Sequence, residues 1–217
     1  LFIQKALDIS PGKRVLDVAC GHGRHMAHMP KDSVVGIDIN LNYLKHAKRF
    51  GDVVAGDVRN PPFRKGAFHG AYIMHSTLGM FGPEGDLEIL TWLSGIIKPG
   101  GRLLVDVANK AKIEDIYAAL GETWNFWISA GPYRVLSTAH YNPLHSRVRE
   151  VRQIYKAGKY LGERVLELTL YGLGELRIML STVGFAVEAV YGDFTGEEYR
   201  RGSDRLIVVA VKTSGVS

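Results

Sequence analysis

The segment Asp17-Val18-Ala19-Cys20-Gly21-His22-Gly23-Arg24-His25 joins an acid to a glycine-rich bend. Gly21 and Gly23 remove side chains where the backbone must turn sharply and come close to a ligand. The segment follows an apolar run and precedes what reads as a helix start, whose free N–H groups would bond polar ligand atoms. Two more carboxylates occupy comparable places. Asp38 closes Val34-Val35-Gly36-Ile37, where a carboxylate can accept from two ribose hydroxyls at once. Asp57 closes Val53-Val54-Ala55-Gly56, where a carboxylate can accept from an adenine amino group. Either acid alone reads as well as a helix cap or a turn residue. The three in this order read as a site.

A dinucleotide loop of the form G-x-G-x-x-G needs a small residue at position 26, which here is Met26. That side chain would crowd close helix–strand packing, and Asp17 would repel a pyrophosphate. An adenosine carrying a cationic amino-acid tail suits all three acids, which disfavours a nicotinamide oxidoreductase.

The elements that must position these residues alternate. Strands are expected at 14–20, 34–38, 53–57, 67–75 and 103–107, with helices at 40–49, capped by Asn40, and 84–97, stopped by Lys98-Pro99-Gly100-Gly101. Strands alternating with helices predict a parallel sheet covered on both faces. From about 122 to 171 charged and apolar residues alternate instead, as in Tyr133–Tyr141 and Arg147–Tyr155, which predicts an antiparallel insertion with one wet face. A helix near 173–182 and closing strands at 185–191 and 205–212 follow. We expect a single domain over 1–217.

The composition fits this frame. The chain has 217 residues, 27 Lys and Arg against 22 Asp and Glu, a net charge of +5, 46% hydrophobic and 23% charged residues. That excludes a disordered chain, a collagen-like chain and a membrane bundle. The lone cysteine, Cys20, excludes an internal disulfide, reads as a small buried residue and points to the cytoplasm. No apolar run reaches the roughly 18 residues of a membrane span, and the first residues do not form a signal peptide.

Val15-Leu16-Asp17-Val18-Ala19-Cys20-Gly21-His22-Gly23-Arg24, Gly36-Ile37-Asp38, Ala55-Gly56-Asp57-Val58 and Leu93 through Leu103, with Lys98-Pro99-Gly100-Gly101, together resemble the successive motifs of class I S-adenosylmethionine-dependent methyltransferases. Phe68–Phe81 and Leu176–Gly192 resemble the small-molecule branch of that family, whose members include sugar-amine N-methyltransferases. The resemblance implies an α/β, Rossmann-like, seven-stranded mostly parallel sheet with an antiparallel last strand at about 205–212. It also implies S-adenosyl-L-methionine as cofactor and a small-molecule acceptor. By that likeness Asp17, Ala19, Cys20, Gly21 and Gly23 would hold the methionine part, Asp38 the ribose, Ile39 would flank the adenine, and Asp57 with Val58 would bind the adenine edge. His75 would face the sulfonium. The chain departs from the branch at His69 and His75, usually an aspartate and a phenylalanine. It begins at Leu1 without methionine, and only about 1–9 stand where the branch has helices that help close over substrate, so upstream residues are expected.

Transfer of a methyl group needs mainly an oriented nucleophile and exclusion of water, and a base only where the nucleophile arrives protonated. His75 is the candidate base or orienter, against the alternative of a neutral histidine packed at a strand end. Among the insertion's aromatics, most read as sheet core; Tyr171 and Tyr141 are the candidate acceptor-binding residues. Arg147, Arg149 and Arg152 read as a solvated strand face. His22, His25 and His28 show ligand-like spacing without a cysteine or acid cluster, so no metal is expected. An RNA or protein methyltransferase of the same fold, or a silent adenosine-binding protein, are the alternatives. Against RNA, His75-Ser76-Thr77-Leu78 stands where a base methylase carries Asn/Asp-Pro-Pro-aromatic, while Asn60-Pro61-Pro62-Phe63 follows the third strand and reads as a turn.

Overall fold

Alternate residues of each strand enter one of two apolar layers, and the two layers decide where the helices lie. The structure is a computed structural model that describes residues 2–214. Leu1, where the expectation of an upstream segment begins, is outside the described residues. β1 (Val15–Val18), β2 (Val34–Asp38), β3 (Asp52–Ala55), β4 (Phe68–Ile73) and β5 (Ile97–Ala108) pair in parallel. Leu16, Val18, Val35 and Ile37 pack with Ile89, Leu90, Leu93 and Ile96 of α3 (Gly82–Ile96) and with Leu176 and Leu180 of α5 (Leu173–Thr182). Val15, Val34, Leu104 and Ile207 pack on the other side with Ile3 of α1 (Phe2–Ala6) and Leu44 and Ala47 of α2 (Leu41–Ala47).

The full sheet has seven strands in the order β10-β11-β5-β4-β1-β2-β3. β11 (Arg205–Lys212) runs antiparallel to both β5 and β10 (Phe185–Tyr191), as the sequence led us to expect. β1 lies between β2 and β4, so the chain leaves it to one side and returns on the other. Open α/β sheets bind ligands at such a reversal, beyond the carboxyl ends of the strands.

Local chemistry explains the element ends. The Asn40 side chain accepts from the N–H groups of Asn42 at 3.0 Å and Tyr43 at 3.3 Å, which caps α2. After β5 the chain forms α4 (Lys110–Leu120), a helix absent from the sequence reading, with no buried residue. It then enters a four-stranded antiparallel sheet, β6 (Thr123–Ala130), β7 (Tyr133–Asn142), β8 (Arg147–Lys156) and β9 (Lys159–Thr169), which realises the expected insertion. Gly79, at φ +115°, lets this sheet approach the first one: a Cβ there would stand 2.6 Å from the Thr169 carbonyl oxygen. The Thr169 N–H donates to the Gly79 carbonyl at 2.8 Å. Among the described residues no helix is long and apolar enough to cross a membrane.

Candidate functional site

The glycine bend is held by Asp38. Gly21 N–H donates to Asp38 Oδ2 at 2.8 Å, and Asn40 N–H donates to Oδ1 at 2.8 Å. Asp38 therefore ties the loop after β1 to the turn after β2, a structural task beyond the expected ribose contact. The helix start expected after the bend is a single 3-10 turn, Met26–His28, so the free N–H groups of a regular helix are not what the loop presents. Met26 is fully buried without the expected crowding, because Gly36 makes room: a Cβ at Gly36 would stand 2.7 Å from the Met26 sulfur and 2.6 Å from Cys20 Sγ.

Asp17 is buried beneath this loop, and its Oδ2 has no partner. Burial pushes its pKa up to about 8, with the nearby Asp38 charge adding to the rise and the Tyr72 hydroxyl opposing it. Cys20 is buried, and burial followed by Asp17 and Asp38 pushes its thiol pKa up, away from the reactive thiolate. At the rim, Ile39 is 73% exposed and offers an apolar platform, whereas Val58 is buried in the core. Asp57 accepts from Arg59 four times: from Nε and the backbone N–H at 3.0 and 2.9 Å through Oδ1, and from Nε and Nη2 at 3.2 and 2.6 Å through Oδ2. These bonds hold the Asp57 carboxyl down at about 2.

Beyond β4 stands a second cluster. His75 and Ser76 both take left-handed backbone conformations, φ +54° and +60°. The His75 N–H donates to Asp106 Oδ2 at 2.8 Å, and Arg205 Nε donates to Asp106 Oδ1 at 2.7 Å. Ser76 Oγ accepts from the Ala108 N–H at 2.8 Å and from Arg205 Nη2 at 3.3 Å. Arg24 Nη2 reaches His75 Nε2 at 2.5 Å; since a guanidinium only donates, that nitrogen accepts. Burial and then Arg24 push the His75 pKa down. His25 stacks on His75 with ring centroids 5.3 Å apart, and burial, His75 and Arg24 bring its pKa down to about 4. His22 instead packs on Tyr43 at 4.0 Å, so the regularly spaced histidines diverge.

His75 and Ser76 open into a cavity of about 640 Å³ between the two sheets and α4. Its wall is mostly apolar: Met80, Ile113, Ile116, Trp124, Phe126, Val148, Leu166, Leu168 and Leu170. Arg205, Glu150 and Arg152 supply the charge. Another hollow, about 420 Å³, lies on the other side of His75 between Phe2, Arg24, His25, Met74 and Phe194. A wider one of about 950 Å³ opens near Arg14, Asp32 and Asp52, at the amino ends of the strands and away from this chemistry.

The two expected acceptor residues stand outside the cavity lining. The hydroxyl of Tyr171 donates to Asp86 Oδ2 at 2.7 Å inside the core, and the cavity is lined by its neighbour Leu170. Tyr141 is buried, with its hydroxyl toward Glu114 Oε1 at 3.4 Å and its ring edge-on to Tyr117. Tyr141 shares its strand face with Ala139, which lines the cavity, but its own side chain packs beyond the cavity wall. Arg152 also departs from the expected solvated face: it lines the cavity and donates to Glu150 Oε1 and Oε2 at 2.9 and 2.8 Å. Arg147 and Arg149 do lie on the outer face beside Glu167. Sequence reasoning missed Asp106, Arg205, Ser76 and Glu150. The spacing of Glu150 and Arg152, opposite charges two apart in a strand and so on one face, was a usable signal. Asp106 and Arg205 are 99 residues apart and left none.

Residues 15–101 match the family described as "Methyltransferase domain". Demethylmenaquinone methyltransferase of Corynebacterium kroppenstedtii is 39% identical over 105 residues, which are 47% of this chain and 44% of that protein. Methyltransferase GfsG of Streptomyces halstedii is 26% identical over 133 residues, 55% of this chain and 47% of that protein. This chain covers less than half the length of these curated relatives. Among solved structures, the CcbJ methyltransferase of Streptomyces caelestis aligns over 98% of this chain and 92% of its own with a TM-score of 0.83 at 15% identity. The S-adenosylmethionine-bound amino pentose methyltransferase CalS10 of Micromonospora echinaspora covers 97% of this chain and 87% of its own, with a TM-score of 0.66 and 19% identity. At these identities the likeness is one of fold.

Proposed function

We propose that this chain, whose residues 15–101 match a methyltransferase domain and whose fold is that of solved methyltransferases, is an S-adenosylmethionine-dependent enzyme that methylates a small molecule held in the cavity beside His75. The observation that carries the reading is the place of His75. It stands at the carboxyl end of β4, beside the glycine bend through Arg24, and it lines the apolar cavity under the four-stranded sheet.

The residues at the rim fit the cofactor. Asp38 already orders the bend, Ile39 offers an exposed apolar face, Asp57 is ionised, and the unpartnered Asp17 oxygen lies below the loop. Gly21, Gly23, Ala19 and Cys20 would supply backbone around the methionine part, and Asp38, Ile39, Asp57 and Val58 would hold the nucleoside. When bound, S-adenosylmethionine supplies an electrophilic methyl group on a positively charged sulfur. The chain's own work is then positional. The Asp106 carboxylate fixes the His75 main chain and Arg24 fixes its ring at the cavity mouth, and the apolar wall keeps water from the acceptor. Residues 1–217 work as a single domain in this reading, with about 122–171 as the cover over the acceptor, and the lone buried Cys20 suits a cytoplasmic setting.

Calorimetry with S-adenosylmethionine and, separately, with NAD tests the reading. Heat with the first at one site per chain and none with the second is expected. Equal binding of NAD, or no heat with the sulfonium nucleoside, overturns it. Methyl uptake by a panel of small amines, acids and phenols then separates a working enzyme from a silent binder.

A further inference from the structure

The two ion pairs on the cavity wall are arranged alike. In the Glu150–Arg152 pair the carboxylate side chain is 10% exposed and the guanidinium 43%. In the Asp106–Arg205 pair the carboxylate is 0% exposed and the guanidinium 24%. In each pair the acid is the more buried partner; Arg205 lines the cavity without Asp106, and Arg152 shares the wall with the less exposed Glu150. A guanidinium carries five N–H donors and no acceptor. Arg152 uses Nε and Nη2 on Glu150, which leaves its other donors free of that partner. Arg205 divides its donors between Asp106 and Ser76 and is the less exposed of the two. Around them the wall is apolar, from Ile113 and Ile116 on α4 to Leu166 and Leu168 on β9. A site built for a cationic amine would leave its carboxylates the more exposed partners; here the guanidiniums are.

We infer that the methyl acceptor is an organic anion, an apolar body bearing a carboxylate or similar oxyanion, and that Arg152 is the specificity-determining residue that seats the oxyanion. The inference rests on the methyltransferase reading of the cavity. Glu150, the more buried partner, takes two of the Arg152 donors in parallel bonds and so competes with an incoming oxyanion for the guanidinium.

Displacement of a neutral fluorescent reporter, phenylnaphthylamine, from the purified full chain tests it. The competitors are phenylbutyrate and phenylbutylamine, which share one apolar body and carry opposite charges. The acid is expected to displace the reporter at about tenfold lower concentration than the amine, the value of one charge-assisted hydrogen bond. Arg152→Gln should erase that preference. Glu150→Gln, which removes the competing carboxylate and keeps the guanidinium, should widen it. If Arg152→Gln does not fold, as judged by its melting curve, Glu150→Gln decides alone. A preference for the amine, an acid preference that survives Arg152→Gln, a preference unchanged or narrowed by Glu150→Gln, or no reporter binding at all overturns the inference. Calorimetry with S-adenosylmethionine on the same samples keeps the two failures apart. Heat with the cofactor and no acid preference sinks only the acceptor class, while absence of heat sinks the methyltransferase reading beneath it.

Discussion

The backbone N–H of His75 donates to the buried carboxylate of Asp106 at 2.8 Å, and this bond joins the end of β4 to the end of β5 just where two consecutive residues are left-handed. Arg205 on β11 closes the network from the next strand over. The candidate active-site histidine is therefore held by main chain and by groups far from it in sequence.

Asp106→Ala should be among the costlier single changes in the protein. It leaves the Arg205 guanidinium half-buried and without its carboxylate, and it frees the strained His75–Ser76 backbone. A loss of about 3 kcal/mol is expected, which for a chain of this length is a fall of roughly 6–12 °C in melting temperature. Calorimetric melting checks it, and a fall of under a degree would show that the network is ornamental.

Arg59→Ala should tighten cofactor binding. Arg59 holds the Asp57 carboxylate that the adenine edge would otherwise engage, and both groups are exposed, so releasing it affects stability little. A gain of about two- to fivefold in S-adenosylmethionine affinity is expected, the worth of an exposed ion pair. Weaker binding in the variant would instead make Arg59 itself a contact.

The pH dependence of stability should report Asp17. Unfolded, the group ionises at about 3.8; folded, it keeps its proton to about 8 because it is buried. Between these values the folded state holds the extra proton, so its contribution to stability is full below the lower value and declines as pH rises. Asp17→Asn removes that decline. The stability of Asp17→Asn relative to the unaltered chain should grow by roughly 1 kcal/mol per pH unit from pH 5 to 7. Parallel urea curves at several pH values measure it, and a difference that stays flat would mean that Asp17 is ionised in the fold.

Tyr171→Phe should separate packing from recognition. The Tyr171 hydroxyl is a donor to the fully buried Asp86, so its loss should cost about 2 kcal/mol in unfolding experiments. Displacement of phenylnaphthylamine by phenylbutyrate should be unchanged, since Leu170 and not Tyr171 faces the cavity. An altered affinity with unaltered stability would return Tyr171 to the site.

By itself the sequence determined what depends on short stretches of chain. Apolar runs and their punctuation fixed the strands of the parallel sheet, Asn40 fixed the start of α2, and the alternation at 133–155 fixed the antiparallel character of the second sheet, because side-chain period is a local property. The order of Asp17, the glycine bend, Asp38 and Asp57 along the chain was legible for the same reason. What each carboxylate does was not. Asp38 clips a loop, Asp57 is taken by Arg59 and Asp17 is buried beneath the loop, and each outcome depends on what packs around it. α4 escaped notice because its apolar residues face a cavity and none enters the core. Only tertiary structure brought Asp106 and Arg205 to His75, and only the facing of two sheets decided that Arg152 lines the cavity while the Tyr171 hydroxyl goes to Asp86. Burial, desolvation and the pairing of charges across some hundred residues belong to the folded surface, and a linear pattern carries no record of them.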